Sequence, residues 1–432
     1  MGIITTAPRG TQDVLPDESY KWQIIEDVMR RVAQSYGFSE IRTPVFEHTE
    51  LFLRSVGDTT DVVQKEMYTF NDKGNRSVTL RPEGTASSAR AILEHGIYNN
   101  GLPVKVYYFD SCYRYEKPQA GRLREFHQFG IELFGASLAT ADAEVIALAR
   151  SIFECLGIED KLSLQINSIG CESCRKLYQK ALVKYFNEHK ESLCDTCRER
   201  LERNPLRIFD CKCSRCKNVA ENAPIILDYL CDECDSHFKQ VKSYLDLANI
   251  KYKINSNIVR GLDYYTKTVF EFVYEDNDMQ ITVCGGGRYD NLISELGGPH
   301  MPSLGFGIGM QRILMILNDK ASALSQIEKP TCDLYIIGIG EKAKAEAFKL
   351  CESVRAGSLN AQCDLTGRSL KAQLKYADKI GAKYSLVIGD NEIENGVANI
   401  KNMSDRTTEK VSLNENFFDE FSNIYLAKFA GE

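Results

Sequence analysis

The sequence predicts an α+β protein: an antiparallel sheet flanked by helices, with a helical insertion and a C-terminal α/β domain. Three observations carry this. Between about Met67 and Phe134, apolar runs are separated by turns short enough for hairpins, with helical patterns before and after, unlike a Rossmann-type parallel sheet. Residues 171 to about 250 become cysteine-rich, charged and helical in pattern. From Asp333 onward the text alternates β-α-β, as a largely parallel sheet requires. The expected domains are 1–170 and 251–325 (two halves of one catalytic-sized unit), 171–250 (the insertion) and 331–432. A chain of 432 residues is long enough for two or three such cores.

Each element has a local reason. From Tyr20 to Tyr36, Ile24, Val28 and Val32 recur every four residues, which predicts an amphipathic helix stopped by Gly37. Ser39 to Phe46 alternates like a strand, but Pro44 cannot donate to a ladder, so the strand belongs at an edge or an interface. A hairpin is expected from Met67 to Pro82, turning over Asn71–Asn75. A longer one spans about Pro103 to Phe134, with Lys117-Pro118-Gln119-Ala120-Gly121 at its tip. Thr140 to Leu156 reads as a helix with Thr140 as cap and Gly157 beyond its end. A helix over Ile313–Leu317 leads into a polar connector from Asn318 to Lys329. The last domain reads as strand Leu334–Ile337, helix Lys342–Ala356, strand Gln362–Asp364, helix Ser369–Ile380 and strand Tyr384–Gly389.

Composition narrows the class. Hydrophobic residues make up 43% and charged residues 26%, as in an ordinary globular protein. No run of eighteen apolar residues appears, so no membrane helix is expected. Met1 to Pro16 lacks an apolar signal core, which points to a cytoplasmic protein. Fifteen cysteines then mean thiols or metal ligands in a reducing compartment rather than a disulfide framework. A net charge of −7 argues against indiscriminate coating of nucleic acid, but leaves room for a specific RNA met through local basic patches.

Nine of those cysteines lie in the insertion. Eight fall in pairs, Cys171/Cys174, Cys194/Cys197, Cys211/Cys216 and Cys231/Cys234, with Cys213 beside them. Two close pairs can grip one tetrahedral ion, so structural Zn2+ is one reading and buried reduced thiols the other. The spacing does not say which pairs join. No histidine or carboxylate completes an open, catalytic metal site.

The densest chemistry lies in Arg260-Gly261-Leu262-Asp263-Tyr264-Tyr265-Thr266, followed by Gly285-Gly286-Gly287-Arg288-Tyr289-Asp290. So many hydrogen-bonding groups are costly to bury unless they face a ligand, and the glycines permit close backbone approach. Together the two segments closely resemble the histidine-specific signature region of histidyl-tRNA synthetases. Tyr113-Arg114-Tyr115-Glu116 with Glu125-Phe126-His127-Gln128-Phe129 resembles motif 2 of class II aminoacyl-tRNA synthetases. Gly305-Phe306-Gly307-Ile308-Gly309-Met310-Gln311-Arg312 resembles motif 3, and the first helix with its proline-bearing strand resembles motif 1, a dimer interface in that class.

The resemblance implies a histidine–tRNA ligase: L-histidine and ATP, with Mg2+, give histidyl-adenylate, and the histidyl group passes to tRNA-His. Arg114 and Arg260 would be the catalytic cations. Both would also touch histidine, with Glu132, Tyr264 and Tyr289 at its imidazole, and Glu83, Thr85 and Gln128 at its α-amino group. Tyr265 would serve either that pocket or packing. Arg114, Glu116, Phe126 and Arg312 would hold ATP. Gln119 and Arg122 at the motif 2 tip would read the acceptor end. Lys371 and Lys375, within a stripe from Arg368 to Lys383, would meet the anticodon arm. In that family activity does not depend on a zinc here and some relatives fold the insertion without cysteines, which weighs against a bound metal. The rival is the synthetase-like regulatory subunit of ATP phosphoribosyltransferase, which performs no aminoacylation, lacks the last domain and degrades the signature around Arg260.

Overall fold

The computed structural model describes residues 5–57, 60, 62–119, 121–203, 205–209, 211, 213–258, 262–276, 279–318, 329 and 331–427. The chain forms two compact units, Met1–Ile327 and Glu328–Glu432.

The first unit opens with α1 (Pro16–Ser35). Its buried stripe runs through Ile25, Met29, Val32 and Ala33, while Ile24 and Val28 lie only partly against the core. Gly37 follows with φ +82°, a conformation that favours glycine. The expected strand over 39–46 divides into β1 (Ser39–Glu40) and β2 (Phe46–His48), with Pro44 in the gap because it cannot donate to a ladder. After α2 (Thr49–Val56), β3 (Tyr68–Asn71) and β4 (Ser77–Leu80) form the short hairpin, and β2 joins them in a three-stranded sheet ordered β2-β4-β3. Next come α3 (Thr85–Glu94) and the long hairpin β5 (Val104–Tyr113) and β6 (Glu125–Phe134). The helix α4 (Ala139–Cys155) starts one residue before the expected cap. Leu138 holds the cap position without a side-chain bond, so Thr140 sits inside the first turn.

The strand β7 (Leu162–Ser168) leads into the insertion: α5 (Glu172–Glu188), α6 (Asp195–Arg203), α7 (Ser214–Glu221) and α8 (Asp232–Leu247). The unit closes with β8 (Lys253–Ile254), β9 (Thr266–Asp276), β10 (Met279–Arg288), α9 (Leu292–Glu295), β11 (Ser303–Gly309) and α10 (Met310–Leu317). Eight strands form the main sheet in the order β1-β5-β6-β11-β10-β9-β7-β8. It is antiparallel throughout except at its two edges, where β1 runs parallel to β5 and β8 to β7. Parallel neighbours need a crossover, and α8 lies in that connection.

Strand alternation divides the sheet into a dry face and a chemical face. On β6, Phe129, Ile131 and Leu133 join a core with side chains of α1, α4, α8 and α10, among them Met29, Ile146, Val241 and Ile313. Full burial of each such side chain contributes roughly 1.5–3 kcal/mol. Gln128, Gly130 and Glu132 fall on the other face. The same rule puts Leu304, Phe306 and Ile308 of β11 in the core, and turns Gly305, Gly307 and Gly309 the opposite way. Within the insertion, α8 shares the main core through Phe238, Val241 and Leu245. The rest has its own core around Tyr178, Leu182, Phe186, Leu193 and Ile226.

The second unit contains β12 (Leu334–Gly338), α11 (Glu341–Ala356), β13 (Ala361–Cys363), α12 (Leu370–Lys379), β14 (Tyr384–Ile388), α13 (Asp390–Asn395), β15 (Val397–Asn402), β16 (Thr408–Ser412) and α14 (Phe417–Ala427). Its sheet, ordered β13-β12-β14-β15-β16, is parallel across the first three strands and antiparallel across the last two. The sequence reading did not foresee the β15–β16 hairpin or α14.

Candidate functional site

Glu132 is the centre of the chemical face. Its carboxylate is buried on β6 and accepts from three hydroxyls: Thr85 at 2.7 Å, Tyr108 at 2.9 Å, and Tyr289. The third comes from the Gly-rich signature strand and the first from the start of α3, so one carboxylate ties three distant segments together. Burial, reinforced by the charge of Glu83, pushes its pKa up to about 8 despite these donors. Glu83 is buried too, and burial raises it as well. Its two oxygens accept the backbone N–H groups of Thr85 at 2.7 Å and Ala86 at 2.9 Å, capping α3, with the positive charge of Arg114 nearby.

The tyrosines wall this centre. Tyr264 and Tyr289 meet edge-on with ring centroids 5.4 Å apart, and Tyr265 lies 4.7 Å from Tyr264. All three are buried, and the carbonyl of Tyr265 accepts from Arg175 at 3.0 Å. Glycine is required beside them. A Cβ on Gly305 would lie 2.2 Å from both Glu132 Oε2 and the Ile131 carbonyl oxygen, and one on Gly307 would lie 2.6 Å from Gln128 Nε2. These glycines let the side chains of β6 lie across β11.

Next to this pocket is a cavity of about 330 Å3 lined by Arg114, Glu116, Arg122, Phe126, Gln128, Glu271, Gly307, Gly309 and Arg312, among others. Arg114 donates to the Pro82 carbonyl at 2.9 Å and lies 5.3 Å from the Phe126 ring centroid. Arg312 donates to the carbonyls of Gly121, at 3.2 Å, and Thr282. Burial and the positive charges of Arg122 and Arg114 lower its pKa, which marks a convergence of three guanidiniums suited to an anion. Arg114 and Glu116 lie beyond the end of β5 at Tyr113, and Glu116 pairs with Arg122 at 3.0 Å. The helix expected over Ile313–Leu317 starts earlier, at Met310, so Arg312 lies in its first turn.

Among the site residues foreseen, Glu83, Thr85, Glu132, Tyr264, Tyr265 and Tyr289 come together, and Arg114, Glu116, Phe126, Gln128 and Arg312 adjoin them. Arg260 lies outside the described residues. Tyr108 was missed. Its signal was Gly130, its partner across β5 and β6, where a Cβ would come within 2.2 Å of the Tyr108 ring. Gln119 and Arg122 close the hairpin tip through paired backbone bonds of 3.0 and 2.9 Å. In the second unit the basic stripe divides. Lys371 and Lys375 are exposed on α12. Arg368 instead pairs with Asp364 at 3.0 Å and covers the Tyr376 ring, while Lys383 bonds Asp333 and Tyr425.

The eight paired cysteines converge into two groups, Cys171/Cys174/Cys231/Cys234 and Cys194/Cys197/Cys211/Cys216, each with its sulfurs within 4.8 Å of one another. Individual Sγ···Sγ distances are 3.5 Å (Cys171–Cys174), 4.0 Å (Cys171–Cys231) and 3.9 Å (Cys194–Cys211). These are far too long for a disulfide and close to the roughly 3.8 Å edge of a tetrahedron with 2.3 Å metal–sulfur bonds. Backbone N–H groups also point at sulfur, from Cys231 to Cys174 at 3.1 Å and from Cys194 to Cys216 at 3.2 Å. The donor set fits Zn2+.

Comparison with known proteins gives a consistent picture. A family model described as histidyl-tRNA synthetase matches residues 10–204 and 206–313, and one described as an anticodon binding domain matches 333–422. The histidine–tRNA ligase of Clostridium novyi (strain NT) is 54% identical over 421 residues, covering 97% of this chain and 99% of that protein. That of Caldanaerobacter subterraneus subsp. tengcongensis is 52% identical over 413 residues, with 96% and 98% covered. The crystal structure of apo S. aureus histidyl-tRNA synthetase superposes with a TM-score of 0.82 at 38% identity, covering 97% of this chain and all of that one.

Proposed function

The chain belongs to the histidyl-tRNA synthetase family, and from that premise we propose how its residues divide the work of a histidine–tRNA ligase. The enzyme joins histidine to ATP as histidyl-adenylate and transfers the histidyl group to tRNA. The observation that carries the division of labour is the buried Glu132 carboxyl, held by three hydroxyls and walled by tyrosines, beside a cavity where three arginines converge.

The imidazole of histidine presents two nitrogens, and Glu132 and the phenols supply partners for both. An amino acid without those nitrogens would leave buried polar groups unpaired, which is the strongest basis for rejection. Glu83 and Thr85, with Gln128 beside them, receive the α-amino group. The histidine carboxylate and the α-phosphate then meet at Arg114. Adenine stacks on Phe126, with Glu116 released from Arg122 to accept its amino group. Arg312 neutralises the terminal phosphates, and Arg260 acts on the charge that develops as the carboxylate attacks the α-phosphorus and pyrophosphate leaves. Members of the class use Mg2+ with ATP. Glu271, which lines the same cavity, would hold it, where it supplies further charge neutralisation.

Beyond the active site, the two four-thiol groups bind structural Zn2+. Exposed Lys371 and Lys375 contact the anticodon arm of tRNA-His. Gln119 and Arg122 meet its acceptor end, next to the additional 5′ guanosine that histidine tRNAs carry. The protein acts in the cytoplasm as a homodimer. The exposed Val45, Phe46, Leu53 and Phe70 around the small sheet form the apolar part of that interface.

Charging of tRNA-His with labelled histidine tests this reading. Efficient charging is expected, and Gln119→Ala should impair it more for tRNA bearing the extra guanosine than for tRNA lacking it. Histidine binding without any charging would favour the regulatory-subunit alternative.

A further inference from the structure

The two four-thiol groups differ in what surrounds them. Cys194, Cys197, Cys211 and Cys216 sit within the insertion's own core. The other group is at its root. Cys171 precedes α5 and Cys231 precedes α8, so these four sulfurs fix the starts of both helices.

Each helix then places side chains on the walls of the histidine pocket. From α5, Arg175 donates to the carbonyl of Tyr265 at 3.0 Å. From α8, Glu233 accepts from Lys267 Nζ at 2.8 Å, and His237 meets Asp142 at 3.2 Å. Asp142 in turn pairs with the fully buried Arg288, the residue before Tyr289. The segment just before Cys171 is bound to the same wall: Ile169 N donates to the Lys267 carbonyl at 2.8 Å, and Lys267 N to the Gly170 carbonyl at 2.9 Å. Lys267 holds φ +47°, an uncommon conformation for a non-glycine residue that persists where the surroundings over-determine it.

We propose that a Zn2+ ion held by Cys171, Cys174, Cys231 and Cys234 is a positioning site for histidine recognition: by fixing α5 and α8 it sets Tyr264, Tyr265 and Tyr289 around the imidazole. The tip site, Cys194/Cys197/Cys211/Cys216, organises the insertion alone. This rests on reading the thiol groups as zinc sites and on the histidine pocket assigned above.

The experiment uses full-length enzyme prepared with zinc and without chelators, with metal analysis and pyrophosphate-exchange kinetics on each variant. The wild type should hold about two Zn2+ per chain. Cys231→Ser should hold about one, and its histidine KM should rise about tenfold, the scale of lost support around a site, with ATP KM almost unchanged. Cys231→His, which can still ligate zinc, should restore both the metal and the KM. Arg175→Met should keep both ions and still raise the histidine KM several-fold, so the proposal stays testable if Cys231→Ser does not fold. Cys197→Ser should lose one ion with the histidine KM unchanged. A wild-type histidine KM in Arg175→Met, or in a folded Cys231→Ser enzyme lacking one ion, would overturn the positioning role while leaving the zinc reading intact. Absence of zinc from the wild type would overturn the zinc reading itself.

Discussion

Glu132 shows how a single side chain can couple specificity to pH. In the folded, ligand-free protein its carboxyl keeps a proton up to about pH 8, against 4.5 for an ordinary glutamate. That protonated state favours folding fully below about pH 4.5, and the contribution is lost as pH rises through about 8. Thermal midpoints of the ligand-free enzyme should therefore decline across that window, and decline less in Glu132→Gln. A histidine bound as imidazolium would take Glu132 in its ionised form, which the amide cannot supply, so the same variant should raise the histidine KM about 100-fold. Arg260→Ala should leave histidine and ATP binding nearly intact while slowing adenylate formation about 100- to 1000-fold, if its charge is used mainly in the transition state. Equilibrium titrations run beside pyrophosphate exchange separate these outcomes. Most of the pocket was legible because its residues are polar where strands ought to be apolar. Tyr108 was not, since an aromatic on a strand looks the same in a core as in a site, and only the glycine opposite distinguishes them.

At the scale of elements, the clasp of Arg288, Asp142 and His237 joins β10, α4 and α8. Asp142 is buried, yet the Arg288 charge and the His237 bond hold its pKa down at about 2, so the carboxylate stays ionised. Removing one partner from a buried ion pair strands the other charge. Arg288→Met should thus destabilise the first unit by about 3–5 kcal/mol, measured by denaturant unfolding, whereas a surface pair such as Lys176–Glu172 should matter little when broken. Element positions were legible where period and punctuation agreed, as in α1 with Gly37 and the β3–β4 hairpin. They were not where the deciding contact is remote. Thr140 looks like a cap locally, but the chain enters α4 at Leu138. The lysine stripe reads as one helical face, yet Arg368 and Lys383 lie off α12 and bond elsewhere. The pairing of the cysteines was also hidden, because it depends on α5 and α8 starting side by side.

At the scale of the molecule, the proposed dimer interface would fall on the small sheet. Phe46 pairs with Leu80 and Phe70 with Val78, so alternation puts both phenylalanines on one face, and both are exposed. On that proposal the wild type should sediment as a dimer and the double variant Phe46→Asp/Phe70→Asp as a monomer. An unchanged sedimentation coefficient would move the interface elsewhere. The α+β class and the parallel half of the last domain's sheet could be read from the text, because hairpin spacing and β-α-β alternation are local signals, whereas its antiparallel half, β15 and β16, departs from the largely parallel sheet expected. The order of strands in the main sheet could not, since it is fixed by pairings between segments far apart in the chain.

That order has a consequence for how the protein is made. The strand β6 pairs with β5 on one side and with β11 on the other. The first residues of β11 follow the end of β6 by about 170 positions. At roughly 5–20 residues per second, a ribosome needs about 10–30 s to cover that distance. Throughout that interval the nascent hairpin presents an unpaired edge beside Phe129, Ile131 and Leu133, whose partners Ile308, Phe306 and Leu304 do not yet exist. The insertion emerges during the same wait. The half-made sheet is thus most exposed to aggregation while the cysteine-rich segment is still acquiring its shape.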